Sequence, residues 1–265
     1  MDQAELERRL AGLPLGPIRY FDTISSTNDE AASWAEDGAP DLSLVVADEQ
    51  TAGRGRSNRR WYTPAGSALA FSLVLRPSER PGENVIPFHT VLGALAVSDA
   101  LEEALELQPE IKWPNDVLVG GRKLSGVLSE AYWQGERPVA IILGIGVNVG
   151  LASCPPPESL TFPATCLQAE AGTRVDRWAV LRAVLGSLIR RRDSFGSASF
   201  LQDWEARLAY LGEGVSISQG EGGEITGRIL GLTSKGGLRV QNRAGEIIEV
   251  MTGDVRLRPV HTPLD

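Results

Sequence analysis

Four arginines, Arg54, Arg56, Arg59 and Arg60, fall within seven residues and are interleaved with Gly53 and Gly55. Glycine permits close backbone approach and positive φ, so its amides can point at an anion while guanidinium groups supply the countercharge. The ordinary account of an arginine-rich loop is solvated basic surface. Two common phosphate-binding patterns are excluded. The third glycine position of a dinucleotide fingerprint holds Asn58, and no Gly-x-x-x-x-Gly-Lys-Ser/Thr run occurs.

A second group is Lys112-Trp113-Pro114-Asn115-Asp116, followed by Arg122-Lys123-Leu124-Ser125-Gly126. Pro114 with the Asn-Asp pair makes a turn. The same segment sets two lysines and a carboxylate on either side of one hairpin. Lys112 and Lys123 could neutralise phosphate or carboxylate oxygens, and Asp116 could hold Mg²⁺ through oxygen. Gly144-Ile145-Gly146-Val147-Asn148 ends an apolar strand, where glycines commonly mark a bulge or a close approach. Ser26-Thr27-Asn28 resembles a helix cap. Trp61 and Trp113 could stack on a flat base, although tryptophan is more often a partly buried core residue.

These groups need elements to hold them. A short helix is expected from Ala4 to Leu10, and Thr27 with Glu30 at capping-box spacing opens another. Leu42–Ala47, Ala68–Leu75 and Val139–Val149 are apolar strands, and residues 48–66 form a long loop of the kind that usually carries function. Phe88, Val91, Leu92, Leu95 and Leu101 give the period of a core helix. Val117–Val119, Gly120-Gly121 and Lys123–Glu130 predict a hairpin with a two-residue turn. After Pro155–Pro157 come helices near Arg177–Arg192 and Phe200–Leu211. From Gly212, short apolar runs at Val215–Ile217, Ile225–Leu230, Leu238–Val240, Ile247–Val250 and Val255–Leu257 indicate a small all-β module.

Composition narrows the chemistry. The chain has 265 residues, 42% hydrophobic and 23% charged, which is the balance of a globular protein with a real core. No apolar run spans a membrane and no signal peptide is evident, so a cytoplasmic protein is expected. Two cysteines, Cys154 and Cys166, make neither a disulfide framework nor a Cys-based zinc site. With only His89 and His261, a Ser-His-Asp or Cys-His mechanism has almost nothing to work with. A net charge of −8 argues against coating nucleic acid. The expected catalysts are Arg, Lys, carboxylates and backbone amides.

In this order and at these spacings, Ser-Ser-Thr-Asn, Gln-Thr-Ala-Gly-Arg-Gly-Arg…Arg-Trp, Lys-Trp-Pro-Asn-Asp, Arg-Lys-Leu-Ser-Gly-Val-Leu-Ser-Glu and Gly-Ile-Gly-Val-Asn-Val resemble the biotin protein ligases. The resemblance covers residues 20–150, and the β module after 212 fits the family's SH3-like C-terminal domain. It implies an α+β fold: a mixed-sheet catalytic domain over 1–211, then an SH3-like all-β domain over 212–265. It also implies an enzyme that joins biotin to ATP as biotinyl-5′-adenylate, with Mg²⁺, and passes biotin to one lysine of a biotin carboxyl carrier protein. An acetyl-CoA carboxylase carrier domain is the family's usual acceptor.

Carried over by position, Ser26, Thr27, Asn28 and Gln50 would bind the biotin head group, whose neutral ureido ring needs donors and acceptors. Arg54, Gly55 and Arg56 would wrap the carboxylate and phosphate, with Gly126 also against biotin. Lys123 would contact the biotin carboxyl and the acyl-phosphate link. Asp116 with Asn115 would place Mg²⁺ and ATP, while Trp61, Arg56 and Asn148 belong to the nucleotide site. Lys112 joins Arg54, Asp116 and Lys123 as the implied catalytic set. The arginine loop would also close over the adenylate.

Some family members carry an N-terminal DNA-binding domain. Here the motifs begin by Ser25, so an enzyme without specific DNA binding is expected. Dimerisation is common in the family, but no segment fixes an interface. Competing readings are a lipoate-type ligase and a non-catalytic biotin or nucleotide sensor. The loop followed by Trp61, with Lys-Trp-Pro-Asn-Asp, favours biotin over lipoate; Lys112, Asp116 and Lys123 together speak against lost catalysis.

Overall fold

A computed structural model describes residues 1–76, 86–156, 160, 162–218, 223–251 and 256–259. Val255, His261 and Pro157 lie outside the described residues. A seven-stranded sheet dominates, built from β1 (Ile18–Ile24), β2 (Ser43–Gln50), β3 (Ala68–Leu75), β4 (Pro109–Lys112), β5 (Asp116–Val119), β6 (Arg122–Gln134) and β7 (Arg137–Asn148). Its order is β1-β2-β3-β7-β6-β5-β4. Only β1 and β2 are parallel, joined through the crossover helix α2 (Thr27–Glu36), as a parallel pair requires.

The sheet separates two apolar layers. On one side α3 (Ile86–Leu105) and α5 (Arg177–Arg191) cover Phe71, Leu73, Leu143 and Ile145. Both faces of β3 are buried, which explains a run that is apolar except for Ser72. On the other side α2 lays Ala31, Ala32 and Ala35 against Val45, Val74, Ala140 and Ile142. Alanines let that helix sit close, and it covers only part of the face. The face beyond its N-terminus is left for the site.

α1 (Gln3–Leu10) matches the expected helix and is capped by Asp2, which accepts from Glu5 N at 2.8 Å. α2 corrects an expectation. Ser26, not Thr27, is the N-cap, because the Thr27 hydroxyl is engaged by Gln50, and Glu30 pairs with Arg19 at 2.7 Å instead of reaching back. β2 extends to Gln50, so residues 48–50 belong to the sheet and the loop begins at Thr51. Gly120 and Gly121, at φ 55° and 70°, make the predicted tight turn of the β5–β6 hairpin. The helix expected over Phe200–Leu211 is α6 (Ala198–Ala206). It stops early because residues 207–209 leave to pair with the edge strand β4, through Ile111 N to Arg207 O and Ala209 N to Ile111 O. β1, β4 and α4 (Leu167–Ala171) were not anticipated.

The C-terminal module has five strands, β8 (Gly214–Ser218), β9 (Glu224–Leu232), β10 (Leu238–Gln241), β11 (Ile247–Val250) and β12 (Arg256–Pro259), all antiparallel in the order β11-β10-β9-β8-β12. Its inner residues Val215, Ile217, Ile229 and Val240 are continuous with the main core. Trp113 fixes the contact: it is fully buried and its indole N–H donates to Gly236 O at 2.9 Å. Trp113 is therefore a core anchor, not a stacking platform.

Candidate active site

Cross-strand partners share a face of a sheet. Register alone therefore defines a lane across six strands: Ala47, Ala70, Gly146, Gly126, Asp116 and Lys112. The lane is small in the middle and charged at one end. One row over lie Ser72 and its partner Gly144. The absence of side chains here is required. A Cβ on Gly144 would lie 2.0 Å from Asn28 Oδ1, and one on Gly146 would lie 2.3 Å from the Trp61 indole. Glycine at these positions is a floor, not a bulge.

At the end beside α2, hydroxyls and amides form one chain. Thr27 donates from N and Oγ1 to Gln50 Oε1 at 2.8 and 3.1 Å, and Gln50 Nε2 donates to Thr63 Oγ1 at 3.0 Å. Ser72 Oγ lies 2.8 Å from Thr27 Oγ1 and 2.6 Å from Asn28 Oδ1. Asn28 Nδ2 then donates to Glu130 Oε2 at 2.9 Å. Ser26, Thr27 and Asn28 are each at most 5% exposed, so this cluster has fixed donor and acceptor directions. The Ser26 hydroxyl meanwhile caps α2.

At the other end Lys123 Nζ sits 2.7 Å from Asp116 Oδ1 and 5.4 Å from the Trp61 ring. The lysine approaches that oxygen obliquely, and Asp116 Oδ1 has no well-angled hydrogen-bond donor. Lys112 Nζ lies over the Phe162 ring at 4.0 Å. The Asn115 amide donates to Val127 O at 3.1 Å and the Asn148 amide to Thr165 O at 3.0 Å. Both asparagines thus hold the β-hairpin and the following loop in place. Lys123 is clamped through its backbone, accepting from Thr165 N and donating to Pro163 O.

The arginine loop arches over the lane. It is folded, not slack. Gly55 N donates to Arg59 O at 2.7 Å, and Arg59 N to Arg56 O at 3.1 Å. Ser57 and Asn58 occupy positive φ near 57°, so they turn the loop; Gly53 and Gly55 do not, contrary to the expectation from composition. Gly53 serves close approach instead, since a Cβ there would lie 2.4 Å from Trp61 O. Arg54 reaches back to both Asp29 and Glu130. Burial opposes its charge, but these two carboxylates outweigh that and raise its pKa. A cavity of about 380 Å³ lies under the loop, walled by Arg54, Arg56, Arg59, Leu128 and Glu130. Trp61 packs over Gly126 and Gly146, and its buried indole N–H has no partner.

Sequence reasoning named the hydroxyl–amide cluster, the loop and the lysines, and the fold brings them to one face. It missed Ser72, Asp29 and Glu130. A lone serine in the apolar run of β3 was the available signal for Ser72. His89, by contrast, lies on α3 and packs against Phe195, across the sheet from the lane.

Comparison with known proteins bears on what occupies this lane. Residues 20–148 match the Biotin/lipoate A/B protein ligase family, and residues 210–258 match the Biotin protein ligase C terminal domain. The Biotin–[acetyl-CoA-carboxylase] ligase of Paracoccus denitrificans is 37% identical over 83% of this chain and 92% of its own length. The chain belongs to the biotin protein ligase family. The Bifunctional ligase/repressor BirA of Bacillus subtilis is 35% identical over 90% of this chain and 73% of its own length. Among solved structures, the Aquifex aeolicus biotin protein ligase in complex with biotin and ATP superposes with a TM-score of 0.79 at 36% identity, covering 92% of this chain and 99% of that one. The mixed-sheet domain with a small C-terminal β domain is this family's fold, and the chain is a ligase.

Proposed function

We propose that this ligase activates biotin with ATP to biotinyl-5′-adenylate and then transfers the biotinyl group to a lysine of a biotin carboxyl carrier protein. One observation carries the reading: a glycine-floored lane, roofed by Trp61, runs from a cluster of neutral donors and acceptors to Lys123 and Asp116, beneath an arginine loop. A long ligand with a polar, uncharged head and an anionic end fits that gradient. Biotin is the acid named for the Paracoccus and Aquifex relatives, and the lipoate and sensor readings are not favoured.

Thr27, Asn28 and Gln50, with Ser26 behind them, meet the ureido ring, and Gly126, with Trp61 packed on it, borders the biotin chain. Arg54, Gly55, Arg56 and Lys123 gather the biotin carboxylate and the α-phosphate. The need for cations is quantitative. Two like charges about 4 Å apart repel by about 4 kcal/mol at an effective dielectric near 20. With the charge balanced, a carboxylate oxygen attacks the α-phosphorus, an O–P bond forms, and pyrophosphate leaves with the electrons of the broken P–O bond. In the second step the carrier's lysine amine attacks the acyl carbon and AMP leaves. No side-chain nucleophile is consumed, in keeping with a chain that has two histidines.

Trp61, Asn115 and Asn148 border the nucleotide, and Lys112 completes the positive end. Among the described residues, no group of three or more His, Cys, Asp or Glu could cage a metal. Asp116, with one oxygen lacking a well-angled donor, fits the single-carboxylate manner in which Mg²⁺ is held together with substrate phosphates. When bound, Mg²⁺ would neutralise phosphate charge. The domain division is drawn at 211/212, just ahead of β8 (Gly214–Ser218), and the cytoplasm is the compartment that suits this chemistry. No described helix is long and apolar enough to cross a membrane. The −8 balance supports a role without sequence-specific DNA binding, for which a gel shift at physiological salt is the check.

The test is a mass measurement on a purified carrier domain incubated with the protein, biotin, ATP and Mg²⁺. The reading expects one biotinyl addition, lost when the acceptor lysine is changed to arginine. A carrier left unmodified while biotinyl-adenylate accumulates would restrict the function to the first step.

A further inference from the structure

Glu130 has no part in the cation set, yet it is the junction of the site. Its Oε2 accepts from Asn28 Nδ2 at 2.9 Å, and its Oε1 accepts from Arg54. Through Asn28 it orients the amide whose Oδ1 faces Ser72, so it fixes the polarity of the head-group cluster. Through Arg54 it holds the arginine loop over the lane. Asp29, in the first turn of α2, takes the other side of the same guanidinium.

The charges count against an incoming acid. One guanidinium between two carboxylates leaves a local net of −1, so in this state Arg54 offers no free positive charge. A substrate carboxylate must displace one of the two to be bound. Glu130 is built for that exchange. Its side chain is 24% exposed and keeps its Asn28 donor when Arg54 leaves, so no buried, unpartnered charge results. A site whose competent form is only partly populated binds more weakly by that fraction.

We infer that Glu130 is a positioning residue that ties the head-group cluster to the arginine loop and holds Arg54 in reserve until the substrate carboxylate takes its place. The inference rests on the biotin reading and goes beyond it: affinity for the acid is set partly by competition from within the chain. A neutral ligand does not compete for Arg54, so acid and amide forms of one ligand separate the two roles of Glu130.

The experiment is equilibrium binding of biotin and of biotinamide, its uncharged carboxamide, to the wild type, Glu130→Gln and Glu130→Ala. In Glu130→Gln the amide oxygen still accepts from Asn28 while one of the two charges opposite Arg54 is gone, leaving Asp29. Biotin should then bind about threefold tighter, the scale of one partly exposed ion pair, with biotinamide unchanged. Glu130→Ala, which also strips the partner from Asn28, should weaken biotinamide. Glu130→Gln shifting acid and amide equally, or weakening biotin alone, would overturn the inference, as would biotinamide binding that Glu130→Ala leaves untouched. Failure of the wild type to bind either ligand would instead remove the biotin reading on which it rests.

Discussion

From Thr51 to Asn58 and on to Trp61 the chain is largely exposed and charged, held to the rest of the molecule by backbone bonds of Thr51 and Ala52 at its start and by side chains such as Arg54. Directly beneath, Gly126, Gly144 and Gly146 sit in continuous strand ladders; neighbouring atoms exclude even a methyl group at Gly144 and Gly146 and leave a tight fit at Gly126. The loop contributes charge and can be rearranged by changing partners. The floor contributes shape and cannot be changed without displacing Asn28 or Trp61. In this site, binding geometry is set by where side chains are missing, and chemistry by where cations are gathered. Substitutions in the two regions should therefore fail differently.

The largest effect should come from the cationic side. Lys123→Ala is expected to lower biotin-dependent pyrophosphate release at least about a hundredfold, the usual cost of one charge-stabilising donor in a transition state. Its melting temperature should stay near the wild type, because Lys123 is held by backbone bonds to Pro163 and Thr165. Wild-type turnover in that variant would remove Lys123 from the chemistry. Gly144→Ala should instead damage both properties. The new Cβ meets Asn28, so about 1–3 kcal/mol of stability and most of the biotin affinity should go together, in thermal melts and in binding isotherms. Loss of activity at unchanged stability would show that the floor is not as rigid as the ladder implies.

Arg54→Gly probes the loop as a lid. Adenylate should still form but escape several-fold faster into solution, measured as free biotinyl-adenylate after a single turnover. Retention equal to wild type would reduce the loop to charge alone. The smallest effect concerns the segment that follows β7. Burial and the neighbouring Cys166 push the Cys154 thiol up to about 11. A raised thiol pKa leaves less thiolate at neutral pH, so Cys154 alkylation should be slow near pH 8 and accelerate toward pH 11. Fast labelling at pH 7 would mean the segment does not bury that thiol.

The same contrast explains what was legible in the sequence. Charge and glycine spacing announced the loop, and the apolar runs of Ala68–Leu75 and Val139–Val149 announced the central strands, because local composition carries both. The lane did not announce itself. It is a property of register, bringing Gly146, Gly126 and Asp116 together from three strands, and no window of sequence contains it. Glu130 was hidden for a similar reason: its partners Asn28 and Arg54 lie 102 and 76 residues away. Local signals also misled where tertiary partners took precedence. Ser26 displaced Thr27 as the cap once Gln50 claimed the threonine, and α6 ended early once β4 needed an edge partner. β1 gave little signal because an edge strand that is only half-buried lacks clear alternation.

The central claim is that the lane and loop together activate biotin's carboxylate. Pyrophosphate release with ATP and Mg²⁺, compared among biotin, lipoate and no added acid, tests it most directly. The account predicts release that depends on biotin and is near background with lipoate or with no acid. Release with lipoate alone, or none with either acid from folded protein, would contradict it.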